Sequence, residues 1–322
     1  MKKSFFLMCP PEYYKIQYTI NPWMKNQVGQ VHPQWARQQW NDFFSTLREH
    51  AEIMLIEPRP HVPDMVFTAN AGLLWRNKFI PSRFRHQERR AEEPCFKKWF
   101  QAQNCEIVEW KEPCYFEGAG DALFQPGRDL IWAGHGFRTD ARALDLLEKE
   151  LRVRVIGLRL IDPRFYHLDT CFCPLADDQV MYYPPAFDAA SRQRIEENVR
   201  PENRIIVSTD DALQFACNAV LVDKTILMNH AGAHLKKRLE NAGYSVHIKP
   251  VTEFLKAGGA NKCLTMQLET PAERAKGFMT GPPRRQGDWS KLNRQTTTVR
   301  PTTHVQLPAE ALRPKMITKR LS

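Results

Sequence analysis

The chain has 322 residues, of which 43% are hydrophobic and 25% are charged, a balance typical of a globular protein with a sizeable buried core. No apolar run approaches the roughly 20 residues that a membrane-spanning helix needs, so the sequence predicts no membrane partner. The short apolar segment 4–9 is followed at once by Pro10, Pro11 and Glu12. This pattern favours a first core strand over a secretory leader.

The net charge of +10 is concentrated near the end of the chain. Residues 271–322 contain eleven Lys and Arg against three Asp and Glu, which leaves only +2 for residues 1–270. The bulk of the chain is therefore nearly neutral, which argues against nucleic acid as its partner. The basic segment is rich in Pro and Thr and lacks periodicity. It predicts an extension, residues 271–322, after a catalytic domain of residues 1–270; the extension could still bind an anionic partner or a neighbouring subunit.

The eight cysteines are scattered and form no CxxC pair. Their spacing does not match a zinc site, and we expect no metal. Scattered cysteines without a secretory signal indicate reduced thiols and a cytoplasmic location.

Helical periodicity appears five times along the chain, at about 34–50, 91–103, 139–151, 187–199 and 231–242. Thr139-Asp140 and Asp188 are suitable helix starts, and Gly243 is a normal C-cap position. A short β-rich run follows each helix, at 53–56, 105–108, 153–156, 204–207 and 244–248. The helix starts are spaced by about 44 to 57 residues, which indicates repeated units.

Hairpin-like pairs complete these units. The clearest pairs are 121–124 with 129–132, and 218–222 with 225–228. The last run continues into 263–268, which the N-terminal strand 5–8 can complete. Five ββαβ units in an α/β fold therefore fit better than one open doubly wound sheet. A closed ring of units would bury each apolar face and bring the loops together at a central axis.

Four loop segments carry residues suited to chemistry, each beside a predicted strand end and each in a different unit. They are 67–70, 116–121, 166–169 and 258–263. Cys263 follows Gly258-Gly259, and a thiol is the best side-chain nucleophile near neutral pH. Taken alone, Cys263 also fits an ordinary buried cysteine. His167 could act as a general base if a carboxylate oriented it, and both Glu117 and Asp169 are available.

Together these segments resemble the guanidino-group-modifying superfamily, the penteins, over residues 4–269. The resemblance implies a pseudo-fivefold, five-bladed α/β propeller and an enzyme without a metal or organic cofactor. It also implies that Cys263 is the nucleophile, that His167 is the general acid and base, and that Glu117 is the carboxylate paired with His167.

Further roles follow from the same resemblance. Asp169 resembles the acid that holds the guanidinium nitrogens. Asp121 resembles the second acid of the family's Glu-Gly-Gly-Asp segment, although this chain has one extra residue there. Arginine suits bidentate binding of the substrate α-carboxylate, and the candidates are Arg85, Arg89, Arg90 and Arg138. Asn21, in the N-terminal loop, is a further candidate for substrate contact.

The position of Asn70 favours one branch of the superfamily. Arginine deiminases have a carboxylate at the end of the corresponding Phe-Thr-Arg-Asp motif, whereas this chain has Phe67-Thr68-Ala69-Asn70. With segments 20–24 and 84–90, this resembles the arginine dihydrolases, which convert arginine to ornithine, carbon dioxide and ammonia. An amide offers both donors and an acceptor to the neutral ureido group of citrulline, the intermediate. Asn70 also fits a turn residue that caps the strand end.

Several alternatives stay open from the sequence. Within the superfamily they are a deiminase, a dimethylarginine dimethylaminohydrolase, which would act on methylated arginine, and an amidinotransferase. Outside enzymes, the alternative is a non-catalytic pentein that binds RNA or protein. A homo-oligomer is also open. Because few residues follow position 270, we expect no second, ornithine-processing domain and ornithine as the final product.

Overall fold

In the computed structural model, residues 4–268 are described, with the exception of residue 177. The strands are β1 (Ser4–Met8), β2 (Ala51–Leu55), β3 (Gly72–Trp75), β4 (Lys78–Pro81), β5 (Glu106–Ile107), β6 (Ala122–Phe124), β7 (Leu130–His135), β8 (Arg154–Arg159), β9 (Phe172–Pro174), β10 (Val180–Tyr182), β11 (Arg204–Ile206), β12 (Val220–Val222), β13 (Thr225–Met228), β14 (Ser245–Ile248) and β15 (Met266–Leu268). The α-helices are α1 (Pro33–His50), α2 (Glu93–Ala102), α3 (Arg142–Leu151), α4 (Ala189–Asn198), α5 (Thr209–Leu213), α6 (Ala233–Asn241) and α7 (Thr252–Leu255).

The described strands form five sheets of three strands, all built alike. In each sheet an antiparallel hairpin leads through a helix to a third strand, which pairs parallel with the middle one. Four sheets use consecutive strands, and the fifth joins the two ends of the described chain. In that sheet Phe5 of β1 faces Leu268 of β15, and Ser4 faces Ala51 of β2. The predicted ββαβ units, and the closure by the N-terminal strand, are confirmed.

The five predicted long helices are observed within a few residues of their expected bounds. Asp188 caps α4 by accepting a hydrogen bond from the Ser191 backbone N (2.8 Å). Gly243 follows α6 with a left-handed φ of 86°. The start of α3 differs from the prediction. Asp140 accepts a hydrogen bond from the Tyr115 backbone N (2.9 Å) and pairs with Arg85, so it serves a neighbouring loop while the helix begins at Arg142.

One edge strand of each sheet lines a shared cavity of about 470 Å³. We call it the axial cavity; the strands are β3, β6, β9, β12 and β15. The apolar residues of the long helices pack with residues of the strands in three hydrophobic cores. Because all five edge strands meet at this cavity, the turns that precede them meet as well.

No helix in the described part of the chain is both long and apolar enough to cross a bilayer. The predicted boundary at residue 270 and the extension 271–322 lie outside the described residues.

Candidate active site

Each sheet contributes polar residues from the segment just before its cavity-lining strand. These residues are Asn70 before β3, Glu117 before β6, His167 and Asp169 before β9, Asn218 before β12, and Cys263 before β15. Close backbone approach depends on glycine at two points. A Cβ on Gly120 would lie 2.3 Å from Asn70 Nδ2, and one on Gly118, whose φ is +62°, would lie 2.7 Å from the Gly72 backbone N.

Asn218 holds Cys263 in place through both ends of its amide. Its Oδ1 accepts hydrogen bonds from the backbone N of Cys263 (3.0 Å) and of Ala260 (3.1 Å). Its Nδ2 donates to Cys263 Sγ (3.0 Å) and to the backbone O of Asp169 (3.1 Å). One buried amide therefore joins three sheets and places a donor directly on the sulfur.

Cys263 also contacts a carboxylate. Its Sγ lies 3.5 Å from Asp169 Oδ2, and both residues are buried. Burial raises the pKa of the Cys263 thiol, and the nearby Asp169 carboxylate raises it further, although Asn218 and Lys262 oppose these effects. Burial also raises the pKa of Asp169 to about 7, even with Lys262 and Asn218 favouring its ionised form. These effects favour the thiol form of Cys263, and a cation beside the sulfur would favour the thiolate.

His167 is oriented by Glu117 rather than by Asp169. Its Nε2 lies 2.8 Å from Glu117 Oε2, which also accepts from Arg138 Nη1 (2.9 Å). Burial disfavours the Glu117 carboxylate, but Arg138 and His167 outweigh burial and lower its pKa below the usual range. Burial lowers the pKa of His167 to about 4 despite the Glu117 bond. His167 is thus neutral at pH 7. The ionised Glu117 carboxylate accepts a hydrogen bond from His167 Nε2–H, which leaves Nδ1 as the base.

Asp121 is hydrogen-bonded to the loops that carry and support this pair. Its Oδ1 accepts from the backbone N of Leu168 (2.9 Å), and its Oδ2 accepts from Thr139 Oγ1 (2.7 Å). Thr139 Oγ1 in turn lies 3.1 Å from the Glu117 backbone N. Because both of its oxygens are bound by protein donors, Asp121 positions the loops that carry His167 and Glu117. The predicted contact of Asp121 with substrate stays a prediction.

A second buried network surrounds Asn70. Arg89 donates to Asn70 Oδ1 (2.9 Å) and forms two 2.8 Å hydrogen bonds with Glu92. Asn70 Nδ2 lies 3.4 Å from the Glu117 backbone O, so the asparagine links the two networks. Asp64 accepts from Tyr18 (2.8 Å) through Oδ2, whereas its buried Oδ1 has no hydrogen-bond partner in the described structure. Burial raises the pKa of Asp64, although Arg89 opposes this.

A narrow space of about 10 Å³, here called the front cavity, lies between these networks and Cys263. This is room for about one water molecule. Its lining includes Asn21, Asp64, Asn70, Arg89, Arg138 and Cys263. The Asn21 side chain caps the turn Pro22–Met24 and donates to the Ala257 backbone O (3.0 Å), so it fixes the N-terminal loop over the cavity.

The candidate arginines separate into two pairs. Arg89 and Arg138 are buried and line the front cavity. Arg90 is exposed and donates to the backbone O of Phe84 (3.2 Å), and its guanidinium lies over the Tyr115 ring. Arg85 pairs with Asp140. The structure therefore does not bring Arg90 or Arg85 to the cavity, because local partners hold both outside it.

The sequence reasoning missed Asn218 and Asp64. Asn218 had a usable signal: it begins the hairpin 218–222, in the one predicted unit that had supplied no polar residue to the site. Asp64 had none, because it lies in the short turn Pro63–Val66, and its burial against Arg89 depends on long-range packing. Among the described residues, no three His, Cys, Asp or Glu side chains are grouped to hold a metal ion.

Comparison with known proteins identifies the family. The family model described as N,N dimethylarginine dimethylhydrolase, eukaryotic, matches residues 11–270. The chain belongs to this family. One relative is the N(G),N(G)-dimethylarginine dimethylaminohydrolase of Mycobacterium tuberculosis. The two sequences are 36% identical over 82% of this chain and 85% of that protein.

A second relative is the bifunctional arginine dihydrolase/ornithine cyclodeaminase ArgZ of Synechocystis sp., 49% identical over 82% of this chain. The family member described here spans only 38% of the length of ArgZ. The crystal structure of the N-terminal domain of ArgZ, a Cys→Ser variant bound to substrate, superimposes with a TM-score of 0.81 at 48% identity. That comparison covers 82% of this chain and 98% of that domain. The pentein fold expected from the sequence is confirmed.

Proposed function

We propose that this protein is an arginine dihydrolase, which converts L-arginine to ornithine, carbon dioxide and ammonia through covalent intermediates on Cys263. The observation that carries the proposal is the buried cluster of Cys263, Asn218 and Asp169 beside the His167–Glu117 pair. It combines a nucleophile, an anion for a guanidinium group, and a neutral histidine that can move protons.

The relatives support the same chemistry. The N-terminal domain of ArgZ is described as an arginine dihydrolase and has been crystallised with substrate and with product. An Asn→Ser variant of that domain was captured with a covalently bound reaction intermediate. A Cys→Ala variant of the related AgrE was crystallised with L-arginine. A reaction that proceeds through a cysteine adduct, with an asparagine in a supporting role, is therefore consistent with the positions of Cys263 and Asn70.

In the first half of the reaction the substrate guanidinium sits between Asp169 and Glu117. Its positive charge favours ionisation of Cys263. The thiol gives its proton to His167 Nδ1, and the thiolate attacks the guanidinium carbon while Asn218 donates to the sulfur. His167 delivers a proton to the departing nitrogen, and ammonia leaves. His167 then takes a proton from water, which attacks the thiouronium carbon, frees the sulfur and produces a bound ureido group. Proton transfer of this kind contributes about 10²–10⁴-fold to a rate.

The second half repeats these steps on the ureido carbon. Asn70 offers an amide to the neutral group, and Cys263 attacks again, expelling a second ammonia. Hydrolysis of the thiocarbamate leaves a carbamate that loses carbon dioxide to give ornithine. Overall, one arginine and two waters yield ornithine, carbon dioxide and two ammonia. Arg89 and Arg138 are the cationic groups that line the front cavity, so we assign the substrate α-carboxylate to them.

The front cavity holds about one water molecule, so its lining must move before arginine can enter. The loop fixed by Asn21 contributes Ile20, Asn21 and Met24 to this lining, and we assign the opening to it. All eight cysteines are free thiols, which supports our further proposal of a cytoplasmic location.

A dimethylarginine dimethylaminohydrolase is the second candidate, because the family model and the M. tuberculosis relative carry that description. Product analysis separates the two. The purified protein is incubated with L-arginine or with N(G),N(G)-dimethylarginine, and ornithine, citrulline, ammonia and dimethylamine are quantified, with Cys263→Ala as control. We expect ornithine and two ammonia from arginine, lost in the variant. Citrulline and dimethylamine from the methylated substrate alone would overturn the proposal in favour of the second candidate.

A further inference from the structure

The residue before the nucleophile, Lys262, lies in a position that the mechanism above does not use. Its side chain is half-buried and borders the axial cavity rather than the front cavity. Its Nζ lies 3.4 Å from the Ala119 backbone O, in the turn that follows Glu117. A lysine ammonium has three donors, so this single long contact leaves it able to interact with water and with other groups at the cavity.

Asp169 separates the two cavities. It borders the axial cavity together with Lys262, and it contacts Cys263 Sγ, which borders the front cavity. Asp169 is fully buried, and a buried carboxylate without a nearby cation takes up a proton. Lys262 is the foremost group that lowers the pKa of Asp169 against its burial, ahead of the hydrogen bonds from Cys263 and Asn218. The structure thus places Lys262 and Asp169 on the wall of one cavity, and Asp169 contacts the nucleophile.

We propose that Lys262 is a positioning residue for the reaction: from the axial cavity, its ammonium keeps Asp169 as a carboxylate that faces Cys263 and the substrate guanidinium. The role rests on the proposed function, because it matters only if Asp169 must be an anion. The other titratable groups that interact with Asp169 are Asp121, Tyr166, Cys171, Cys173 and Cys263. In their ordinary ionisation states at neutral pH none of these carries a positive charge, so Lys262 has no substitute among them.

The backbone contacts of Lys262 are independent of its side chain. Its N donates to the Asn218 backbone O (3.1 Å), and its O accepts from the Thr265 backbone N (3.0 Å). Lys262→Met therefore removes the charge and preserves both the backbone bonds and most of the side-chain volume. Lys262→Arg retains the charge, and Lys237→Met, an exposed position on α6, controls for the loss of a positive charge elsewhere.

The first test is the pH profile of kcat/KM for L-arginine between pH 5 and 9. Removing a nearby opposite charge raises the pKa of a buried carboxyl group by about one to two pH units. We expect Lys262→Met to be about tenfold less active at pH 7 and within about threefold of wild type at pH 9. Lys262→Arg and Lys237→Met should retain the wild-type profile. A loss by the same factor at every pH would indicate a merely structural role and overturn the proposal, as would an unchanged profile.

The second test needs no substrate. In the unfolded chain Asp169 is ionised above about pH 5. A folded state that keeps Asp169 protonated therefore loses stability as the pH rises towards the pKa of Asp169 in the folded chain. A higher folded pKa in Lys262→Met extends that loss beyond pH 7. The thermal midpoint of Lys262→Met should therefore fall further between pH 7 and 9 than that of wild type. If wild type fails to turn over arginine, the proposed function is wrong. If the thermal midpoints of wild type and Lys262→Met change equally between pH 7 and 9, the role of Lys262 is refuted, whatever the result with arginine.

Discussion

Replacing Asn218 by alanine tests whether one amide organises the nucleophile. The substitution removes two acceptor contacts and two donor contacts. It leaves three buried backbone groups without these partners: the N–H groups of Ala260 and Cys263 and the carbonyl of Asp169. Each buried polar group that loses its partner costs about 1–3 kcal/mol, so for three groups we expect the free energy of unfolding to fall by roughly 3–9 kcal/mol. That is a large share of the 5–15 kcal/mol typical of native proteins.

Asn261→Ala is a matched control in the turn that carries Cys263. Asn261 is also buried, but its Nδ2 makes one hydrogen bond, to the Lys249 backbone O (3.0 Å), and its Oδ1 has no partner in the described structure. The expected loss is about 1 kcal/mol. Urea unfolding followed by tryptophan fluorescence gives both values. Equal destabilisation by the two substitutions would refute the role of Asn218 in holding Cys263 in place.

The Asn218→Ala variant should also turn over arginine more slowly. A hydrogen bond to a charged group contributes about 1.5–3 kcal/mol, so losing the Asn218 donor on the Cys263 thiolate should slow arginine turnover by roughly 10- to 150-fold. Asn261→Ala should leave turnover within about threefold, because Asn261 does not touch the sulfur. Turnover is measured well below the denaturation midpoint of each variant, so that the folded fraction is the same.

Three further outcomes follow from the site. The kcat/KM of wild type should rise between pH 6 and 8 with a midpoint near the Asp169 pKa of about 7, because only the ionised carboxylate holds the guanidinium; a flat profile over this range would contradict that role. Arg138→Ala should lower kcat/KM at least about 100-fold, since it removes the buried partner of Glu117, whereas exposed Arg90→Ala should stay within about twofold in the same assay. Asn70→Asp should raise the citrulline-to-ornithine ratio of the products, measured by chromatography, because a carboxylate repels the ureido oxygen; an unchanged ratio would remove Asn70 from the second half of the reaction.

The repeat architecture could be predicted because its signals are local. Each long helix has its own apolar periodicity, and each hairpin has a turn such as Asp223-Lys224, where Asp223 adopts a left-handed φ of 53°. The pairing of β1 with β15 followed from counting units, since the last unit lacked one strand. The start of α3 could not be predicted from local signals, because the contact between Asp140 and the Tyr115 loop forms only in the folded chain.

The site was predictable to the extent that it lies in loop segments at strand ends. The residues alone left open whether Glu117 or Asp169 pairs with His167. The family resemblance implied Glu117, and the structure places Glu117 there. The sequence could not show which of the adjacent residues Arg89 and Arg90 is buried. In the structure the 3-10 helix Gln87–Glu92 buries Arg89 and exposes Arg90. Burial also decides the ionisation of Asp169 and His167, and burial is a property of the assembled sheets rather than of any motif.

The most direct measurement of the central claim is the mass of the peptide that contains Cys263 after acid quench during turnover of L-arginine. Covalent catalysis at this residue predicts a substrate-derived adduct on the Cys263 peptide that disappears when substrate is exhausted. The adduct should be more abundant in an Asn70→Ser variant, in which the second half of the reaction is impaired. An adduct on another cysteine, or turnover to ornithine that persists in Cys263→Ala, would contradict the mechanism.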